Sequence, residues 1–357
     1  MKEYESFLLE RVRSMGNPFT LTFGKKPTEY INRNESMEEI ISAFSESPSR
    51  YQTYLIRGVR GSGKTVLMTS VSQRLEEEGW ICVDLNSSTN LIEDFSYRLA
   101  DAYRSIGNLM ERGFDVSIAG FGVGLGGRED RDCVSRCEGI LEAISRHGKR
   151  VLITIDEVYN NSDMRQFASQ FQIWIRKNYP IYLIMTGLHE NIYSLQNSPQ
   201  LTFLLRSPKV TLGPLGISQI IRQYERIFQI SMDEACVLAR ITKGYAFAFQ
   251  ALGMLYWDNR ESKDIEEILR DLDDLLDEFV YRKIWDGLSP QDQLILKSIP
   301  DEEPIKVGEL CKNANITTQV FSKYRERLVD KGLINAAKHG YVELTLPRFG
   351  VISRLYS

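Results

Sequence analysis

GVRGSGKT, residues 58–65, follows the apolar run YLI at 54–56 and combines three glycines with one lysine and one threonine. It matches the Walker A pattern G-x-x-x-x-G-K-[ST], in which loop amides and the lysine hold phosphates while the hydroxyl ligates Mg²⁺. Residues 66–71 are predicted to form a helix whose N-terminal dipole faces those phosphates. A strand before the loop and a helix after it are the context that the motif requires, so the sequence predicts a nucleotide site. The residues predicted to hold ATP or ADP are Gly58, Arg60, Gly61, Ser62, Gly63, Lys64, Thr65 and Val66.

Composition sets limits on the class of protein. The chain has 357 residues, 43% of them apolar, and a net charge of −4, so no whole-chain attraction to nucleic acid is expected. No segment approaches the roughly 18 apolar residues of a membrane span, and the first residues do not resemble a secretory signal. Five cysteines and three histidines are scattered without a zinc-binding spacing, which favours reduced cysteines and a cytoplasmic protein.

The order of predicted elements indicates an α/β fold. Up to about residue 212, strands alternate with helices, which implies parallel βαβ units. Beyond Pro214 only helical spacing continues. Strands are predicted at 53–58, 81–86, 151–155, 181–186 and 209–213. Helices are predicted at 36–46, 64–77, 90–106, 131–146 and 164–178.

The stretch FDVSIAGFGVGLGG at 114–127 interrupts this alternation. A turn at 119–120 would place its six alternating apolar residues on one face of a β-hairpin. The same stretch contains G-x-G-x-x-G, but that dinucleotide pattern is weak alone and the chain already has a phosphate loop on its first strand. The other face of the hairpin is glycine-rich and nearly uncharged, so we expect it to contact another subunit or a partner protein.

A second motif, VLITIDEV at 151–158, has the Walker B pattern of a buried strand ending in two acids. Asp156 is predicted to bind Mg²⁺ together with Thr65, and Glu157 to activate the attacking water. The alternative is a surface acidic pair that follows a buried strand. Thr186 ends the next strand either as a sensor of the γ-phosphate or as a hydroxyl that caps the strand. Arg206 is either an arginine finger that reaches a neighbouring subunit or part of a surface ion pair.

These features together resemble the AAA+ ATPases, in particular the origin-recognition-like and archaeal-type group that neighbours the signalling STAND NTPases. The resemblance implies an N-terminal helical segment (1–16), a P-loop ATPase core (17–212), an all-helical lid (213–284) and Mg²⁺-dependent ATP hydrolysis. Two motifs depart from the family pattern. NRN at 32–34 replaces the usual G-R-E, and GYAF at 244–247 lacks the lid arginine called sensor 2.

The last region, 285–357, resembles a winged helix-turn-helix. Helices are predicted from 289, over 305–313 and from 317, with Val320, Phe321, Tyr324 and Leu328 on the core side of the third. Strands around 333–337 and 341–346 flank a basic tip at 338–340. From residue 317 onward, seven basic and three acidic residues give a net charge of +4. The residues predicted to contact duplex DNA are Thr318, Gln319, Ser322, Lys323, Arg325 and Lys338. Glu326 opposes such binding, and winged helices also serve as protein-docking modules.

The sequence therefore predicts an oligomeric, ATP-hydrolysing AAA+ switch or remodeller that acts on DNA or on a DNA-bound partner. A STAND-like signalling or defence NTPase, in which the winged helix packs internally, is the main alternative. A P-loop small-molecule kinase is a third reading, but the sequence contains no recognisable phosphoacceptor pocket.

Overall fold

The computed structural model describes residues 16–22, 27–87, 90–109 and 129–356. The predicted hairpin at 114–127 and nearly all of the predicted N-terminal helical segment lie outside the described residues. The described chain forms two compact units. We call them the α/β unit (33–58 and 64–212) and the helical unit (up to 32, 59–63, and from 213 onward). Residues 59–63 of the phosphate loop thus belong to the helical unit, whereas the strand before them and the helix after them belong to the α/β unit.

The α/β unit is built on a five-stranded, fully parallel sheet with the order β2-β3-β4-β1-β5. Its strands are β1 (Thr53–Arg57), β2 (Ile81–Asn86), β3 (Val151–Asp156), β4 (Ile181–Gly187) and β5 (Lys209–Thr211). All five predicted strands are confirmed. β4 lies between β1, which leads into the phosphate loop, and β3, which ends at the acidic pair. The carboxyl ends of the three strands therefore meet at one edge of the sheet.

Helices cover both faces of this sheet. They are α1 (Asn34–Ser45), α2 (Lys64–Glu77), α3 (Leu91–Leu109), α4 (Glu129–Arg146), α5 (Ser162–Arg176) and α6 (His189–Gln196), followed by a 3-10 helix (Thr202–Arg206). The five predicted helices are confirmed, but α6 and the 3-10 helix were not predicted, because they are short. Leu55 packs into one core, while Tyr54 and Ile56 pack into another on the opposite face. Burial on both faces explains why the sequences of β1, β3 and β4 are almost continuously apolar.

The largest part of the helical unit follows β5. Its first helices are α7 (Ile217–Phe228), α8 (Met232–Ile241), α9 (Ala246–Asn259) and α10 (Ile265–Leu276), continued by a π-helical turn (Asp277–Tyr281) and α11 (Arg282–Asp286). Ser231 and Asp264 cap α8 and α10 with side-chain bonds to backbone N–H groups. Among the described helices of the chain, none has both the length and the hydropathy needed to cross a membrane.

The segment 16–22 packs on these helices. Phe19 is 3% exposed, and its ring lies 5.6–6.0 Å from the rings of Tyr224, Phe228 and Phe249. Backbone polar groups are matched as well, because the Thr20 N–H donates to the side chain of Gln250 at 3.2 Å. The aromatic contacts anchor the N-terminal segment to α7 and α9.

The C-terminal elements follow the order helix, strand, helix, helix, strand, strand, helix. They are α12 (Pro290–Lys297), β6 (Ile305–Lys306), α13 (Val307–Asn313), α14 (Thr318–Asp330), β7 (Ile334–Asn335), β8 (Tyr341–Leu344) and α15 (Phe349–Ser353). The sheet is antiparallel with the order β6-β8-β7. The helix predicted over 305–313 is wrong at its start, since Ile305 pairs with Val342 as a strand. Val320 was predicted in the core but is 38% exposed, whereas Phe321 and Leu328 are buried. The assignment of this region as a winged helix stays a prediction.

The C-terminal elements share one hydrophobic core with α7–α11. The Tyr281 hydroxyl donates to the Pro347 carbonyl at 2.7 Å, and its ring lies 5.0 Å from that of Phe349. Arg348 forms an ion pair with Asp273 of α10. Because the core is continuous, the C-terminal elements are packed onto the preceding helices.

Replacing Gly253 with alanine tests the anchoring of the N-terminal segment. A Cβ at this position would lie 2.5 Å from ring atoms of Phe19, whereas a Cβ at Gly308 would meet nothing within 4 Å. We expect Gly253→Ala to destabilise the protein by about 1–2 kcal/mol, because overpacking outweighs the gain in helix propensity. Gly308→Ala is the matched control and should be neutral or slightly stabilising in the same urea denaturation experiment. Equal stability of the two variants would contradict the packing of Phe19 against α9.

Candidate nucleotide site and the exposed face of α14

The phosphate loop joins β1 to α2 through two glycines in left-handed backbone conformation. Gly61 has a φ of 74° and Gly63 a φ of 91°, values that other residues rarely adopt. A turn closes the loop, with the Ser62 N–H donating to the Val59 carbonyl at 3.2 Å. The geometry thus favours glycine at both positions, of which Gly63 is a fixed glycine of the Walker A pattern.

Lys64 is the first residue of α2, and its side chain is buried at 8% exposure. Its ammonium donates to the carbonyl of Gly58 at 3.1 Å, across the base of the loop. A cation at a helix N-terminus is unfavourable, because the positive end of the helix dipole lies there. An anion bound at the same place reverses the sign of this interaction. The position of Lys64 therefore fits a site for phosphate.

The end of β3 brings four of the predicted site residues together. The Thr65 hydroxyl donates to Asp156 Oδ2 at 2.6 Å, which joins the two motifs across 91 residues of sequence. The other carboxylate oxygen, Oδ1, accepts a hydrogen bond from the Thr186 hydroxyl and one from the Glu157 N–H at 3.0 Å. Both oxygens of Asp156 are thus held in place by neighbouring side chains and backbone.

Thr186 is fully buried at the end of β4 and connects Asp156 to Glu157. Its hydroxyl donates to Asp156 and accepts from the Glu157 N–H at 3.2 Å. In this arrangement Thr186 orients the acidic pair. Whether it also senses a γ-phosphate stays a prediction.

Glu157 has a backbone φ of 50°, in the left-handed region. For a residue with a side chain this conformation costs about 1–2 kcal/mol and persists only where the surroundings hold it. Here its N–H is held by Asp156 and Thr186. Backbone strain of this kind is found at functional sites, which supports a chemical role for Glu157.

A pair of oxygen ligands is available for Mg²⁺. The Thr65 hydroxyl and the Asp156 carboxylate already lie within hydrogen-bonding distance of each other, and both side chains are only half-buried. Hydroxyl and carboxylate oxygens are the ligands that Mg²⁺ prefers, usually completed by phosphate and water. These residues therefore fit the predicted metal position.

Arg206 is the last residue of the 3-10 helix and is exposed directly before β5. The exposure leaves its guanidinium available to a second molecule. The arginine-finger role stays a prediction.

Two contacts of the phosphate loop were not predicted. Within the helical unit, the Tyr245 hydroxyl donates to the Arg60 carbonyl at 2.6 Å, and the Phe247 N–H donates to the Gly61 carbonyl at 3.1 Å. In the sequence, 244–247 is notable only for its missing arginine. A tyrosine in a loosely matched motif carried no signal that it would bond to a loop some 185 residues away.

All six residues predicted to contact DNA are exposed, five of them on α14 and Lys338 in the turn before β8. Two of the basic side chains have partners within the C-terminal elements. Arg325 donates to the Ala336 carbonyl at 3.1 Å, and the Lys338 ammonium lies 4.3 Å from the centre of the Tyr341 ring. Arg327 pairs with buried Asp292 at 2.5 Å. The basic charge at the surface of α14 is therefore carried mainly by Lys323 and Arg325.

Thr186→Val tests the network around Asp156. The valine keeps the shape of threonine but leaves one carboxylate bond and the Glu157 N–H bond unmade, which we expect to cost about 1–3 kcal/mol in urea denaturation. Thr186→Ser should restore most of the loss. Thr154→Val is the matched control, because buried Thr154 also donates to a carboxylate, that of exposed Asp84, which water can solvate. A larger loss for Thr154→Val would contradict the proposed role of the Thr186 hydroxyl.

Comparisons with known proteins place this geometry in a known fold. The family model described as "Domain of unknown function (DUF8462)" matches residues 278–351, from the π-helical turn to α15. No curated protein matched the sequence. The ORC2 protein of Aeropyrum pernix, solved as ADPNP–ADP complexes, has a TM-score of 0.56 at 14% identity, over 94% of this chain and 96% of that chain.

Two further solved structures are similar at lower scores. Cdc6p of Pyrobaculum aerophilum has a TM-score of 0.49 at 14% identity, over 94% of this chain and 95% of that one. A STAND protein with a tetratricopeptide repeat sensor from Pyrococcus horikoshii has a TM-score of 0.42 at 16% identity, over 94% of this chain and 44% of that one. Of the three likenesses, only that to ORC2 exceeds a TM-score of 0.5. By that likeness and by its five-stranded parallel sheet, the chain shares the mixed α/β fold of the ORC2 protein.

Proposed function

We propose that this chain binds ATP with Mg²⁺ and hydrolyses it. The observation that carries the proposal is the 2.6 Å hydrogen bond from Thr65 to Asp156, which brings the Walker A and Walker B motifs into one site at the carboxyl edge of the sheet. Ligands of open α/β sheets bind at this edge. The nucleotide complexes of the ORC2 protein, which has the same fold, add support.

Binding is assigned to the loop and to Lys64. The amides of the loop and of the first turn of α2 surround the phosphates, with the residues at 58 and 60–66 as the predicted contacts. The Lys64 ammonium neutralises charge on the β- and γ-phosphates. Its bond to Gly58 holds the side chain across the loop, so little rearrangement is needed when the anion binds.

Thr65 and Asp156 are the residues that would hold Mg²⁺. When bound, the ion neutralises the negative charge that builds up on the phosphate oxygens. Thr186 keeps one Asp156 oxygen oriented, so that the carboxylate presents a fixed face.

Glu157 is assigned as the residue that orients and deprotonates the attacking water. The two hydrogen bonds to its N–H fix the backbone, and its partial exposure leaves the carboxylate accessible to water. Arg206 of a neighbouring copy supplies positive charge to the transition state, so hydrolysis depends on assembly.

Two substitutions separate binding from turnover. Lys64→Ala should weaken ATP binding about 10- to 100-fold or more, because a charged hydrogen-bond donor to phosphate is lost. Glu157→Gln should keep the affinity and lower turnover by about 10²- to 10⁴-fold, because general-base assistance is lost. Equilibrium binding of a fluorescent nucleotide and release of phosphate are the two measurements.

Lys149→Ala is the matched control, because Lys149 also donates to a glycine carbonyl, that of Gly79 at 3.1 Å, away from the loop. Lys149→Ala should change neither the affinity for ATP nor the rate of phosphate release. Turnover by Glu157→Gln equal to that of the natural protein would refute the assignment of the base.

We also propose that the C-terminal elements form a winged helix that binds duplex DNA through α14. The support is the exposed polar and basic face of α14 (Thr318, Gln319, Ser322, Lys323 and Arg325), opposite buried Phe321 and Leu328. Lysine and arginine contact phosphates regardless of sequence, while Gln319 and Ser322 are placed to reach base edges. Exposed Glu326 weakens single-copy binding, so an ATP-dependent assembly would be needed for useful affinity.

Lys323→Ala tests the DNA contact through its dependence on salt. Each lost phosphate contact lowers the slope of log K against log salt by about 0.9. We expect that reduction for Lys323→Ala and none for Lys283→Ala, which removes the same charge from α11, outside the predicted winged helix. Binding isotherms at two or more salt concentrations, with ATP and with ADP, give the slopes. Identical slopes for the two variants would contradict the placement of DNA on α14.

One observation favours a second function, that of a STAND-like switch. The C-terminal elements share a core with α7–α11, through Tyr281, Phe349 and the ion pair of Arg348 with Asp273. Such packing suits a module that holds the protein in one nucleotide state until a partner protein arrives. Retention of ADP through purification, together with no binding of duplex DNA in either nucleotide state, would favour this function over the first.

A further inference from the structure

Residues 59–63 of the phosphate loop are held by the start of α9, within the helical unit. Tyr245, the residue before α9, is 4% exposed and donates from its hydroxyl to the Arg60 carbonyl at 2.6 Å. Two residues further on, the Phe247 N–H donates to the Gly61 carbonyl at 3.1 Å. Two consecutive carbonyls of the loop thus have donors from the same helix terminus.

The bond from Tyr245 determines the orientation of one loop amide, the N–H of Gly61. In a trans peptide the C=O and the N–H of the following residue point in opposite directions. A donor on the Arg60 carbonyl therefore directs the Gly61 N–H away from Tyr245. A phosphate cradle needs loop N–H groups turned toward the anion and carbonyls turned away from it, and a bond to the carbonyl stabilises that orientation.

The contact is tight, and its tyrosine is buried. A Cβ at Gly61 would collide with the Tyr245 hydroxyl, so glycine is needed here for space as well as for its φ of 74°. Burial raises the pKa of Tyr245 well above its usual value, so the hydroxyl keeps its proton and remains a donor. Removing the hydroxyl would leave the Arg60 carbonyl without this donor in a place where water has little access.

The same tyrosine is linked to the C-terminal elements through Tyr281 of the π-helical turn. Its ring stacks on that of Tyr281 with centroids 6.4 Å apart, and Tyr281 in turn bonds to Pro347 and packs on Phe349. Val59 of the loop also packs against the hydrophobic core that includes residues of the C-terminal elements. Gly332, the glycine after α14, lies close to it, since a Cβ there would be 3.6 Å from Val59.

We propose that Tyr245 is a positioning residue for the phosphate loop. Its hydroxyl holds the Arg60 peptide in the orientation needed for phosphate binding, and its ring links the loop to the C-terminal elements through Tyr281. This inference rests on the proposed nucleotide function. It gives the start of α9 two bonds to the backbone of the loop, both within the helical unit.

Tyr245→Phe removes only the hydroxyl and is the test. We expect the Kd for ATP and for ADP to rise roughly tenfold, because the loop amides lose their fixed orientation. KM should rise with the Kd while kcat changes little, since ground state and transition state use the same amides. Titration with a fluorescent nucleotide analogue measures the affinity, and steady-state phosphate release gives KM and kcat.

Tyr224→Phe is the matched control. The buried hydroxyl of Tyr224 donates to the Phe249 carbonyl of α9 at 2.7 Å. Tyr224→Phe therefore also removes a buried bond from a tyrosine hydroxyl to a backbone carbonyl, but that carbonyl is outside the loop. Both variants should lower the thermal midpoint by similar amounts, but only Tyr245→Phe should weaken nucleotide binding. Equal affinity of Tyr245→Phe and the natural protein, or equal loss in both variants, would overturn the inference. Failure of the natural protein itself to bind nucleotide would overturn the proposed function and this inference together.

Discussion

A lysine at the first turn of a helix opposes the helix dipole, and this electrostatic conflict organises the site. Lys64 begins α2 with its side chain buried and bonded across the loop to Gly58. Anion binding relieves the conflict, because the phosphate interacts favourably with both the ammonium and the helix terminus. In the proposed function, the left-handed glycines and the strand before them place the anion at this point, and the neighbouring Asp156 carboxylate would hold Mg²⁺ beside it.

The sequence was sufficient for the parallel sheet because β1, β3 and β4 have nearly continuous apolar runs that are buried on both faces. The sequence also predicted that Thr65 and Asp156 would meet. Thr65 lies in the motif that follows β1 and Asp156 ends β3, and parallel strands of one sheet have their carboxyl ends at the same edge. Their separation by β4 was not predicted, because strand order depends on how helices cross the sheet. Short elements such as α6 and β6 were missed or misassigned, since a few residues do not establish a period.

The roles of Thr186 and Tyr245 could not have been derived from the sequence. At the end of β4, a hydroxyl can face a phosphate or a neighbouring carboxylate, and only the packing of β3 beside β4 directs Thr186 to Asp156. Tyr245 is separated from Arg60 by 185 residues, so its bond depends on the fold of the whole helical unit. Propensity and periodicity act over one or two turns and contain no information at that range.

The contacts of Tyr245 have a thermodynamic consequence for both proposed functions. If nucleotide affinity depends on the bond from Tyr245 to the loop, any ligand of the C-terminal elements that shifts Tyr281 changes that affinity. Linkage then requires nucleotide to change the affinity for that ligand by the same factor. Duplex DNA and a partner protein are equivalent in this respect, because the coupling passes through Tyr281 and Phe349 and not through the exposed face of α14. The same packing therefore supports a DNA-responsive ATPase or an ADP-held switch, and the chemistry of the α14 face decides which ligand operates it.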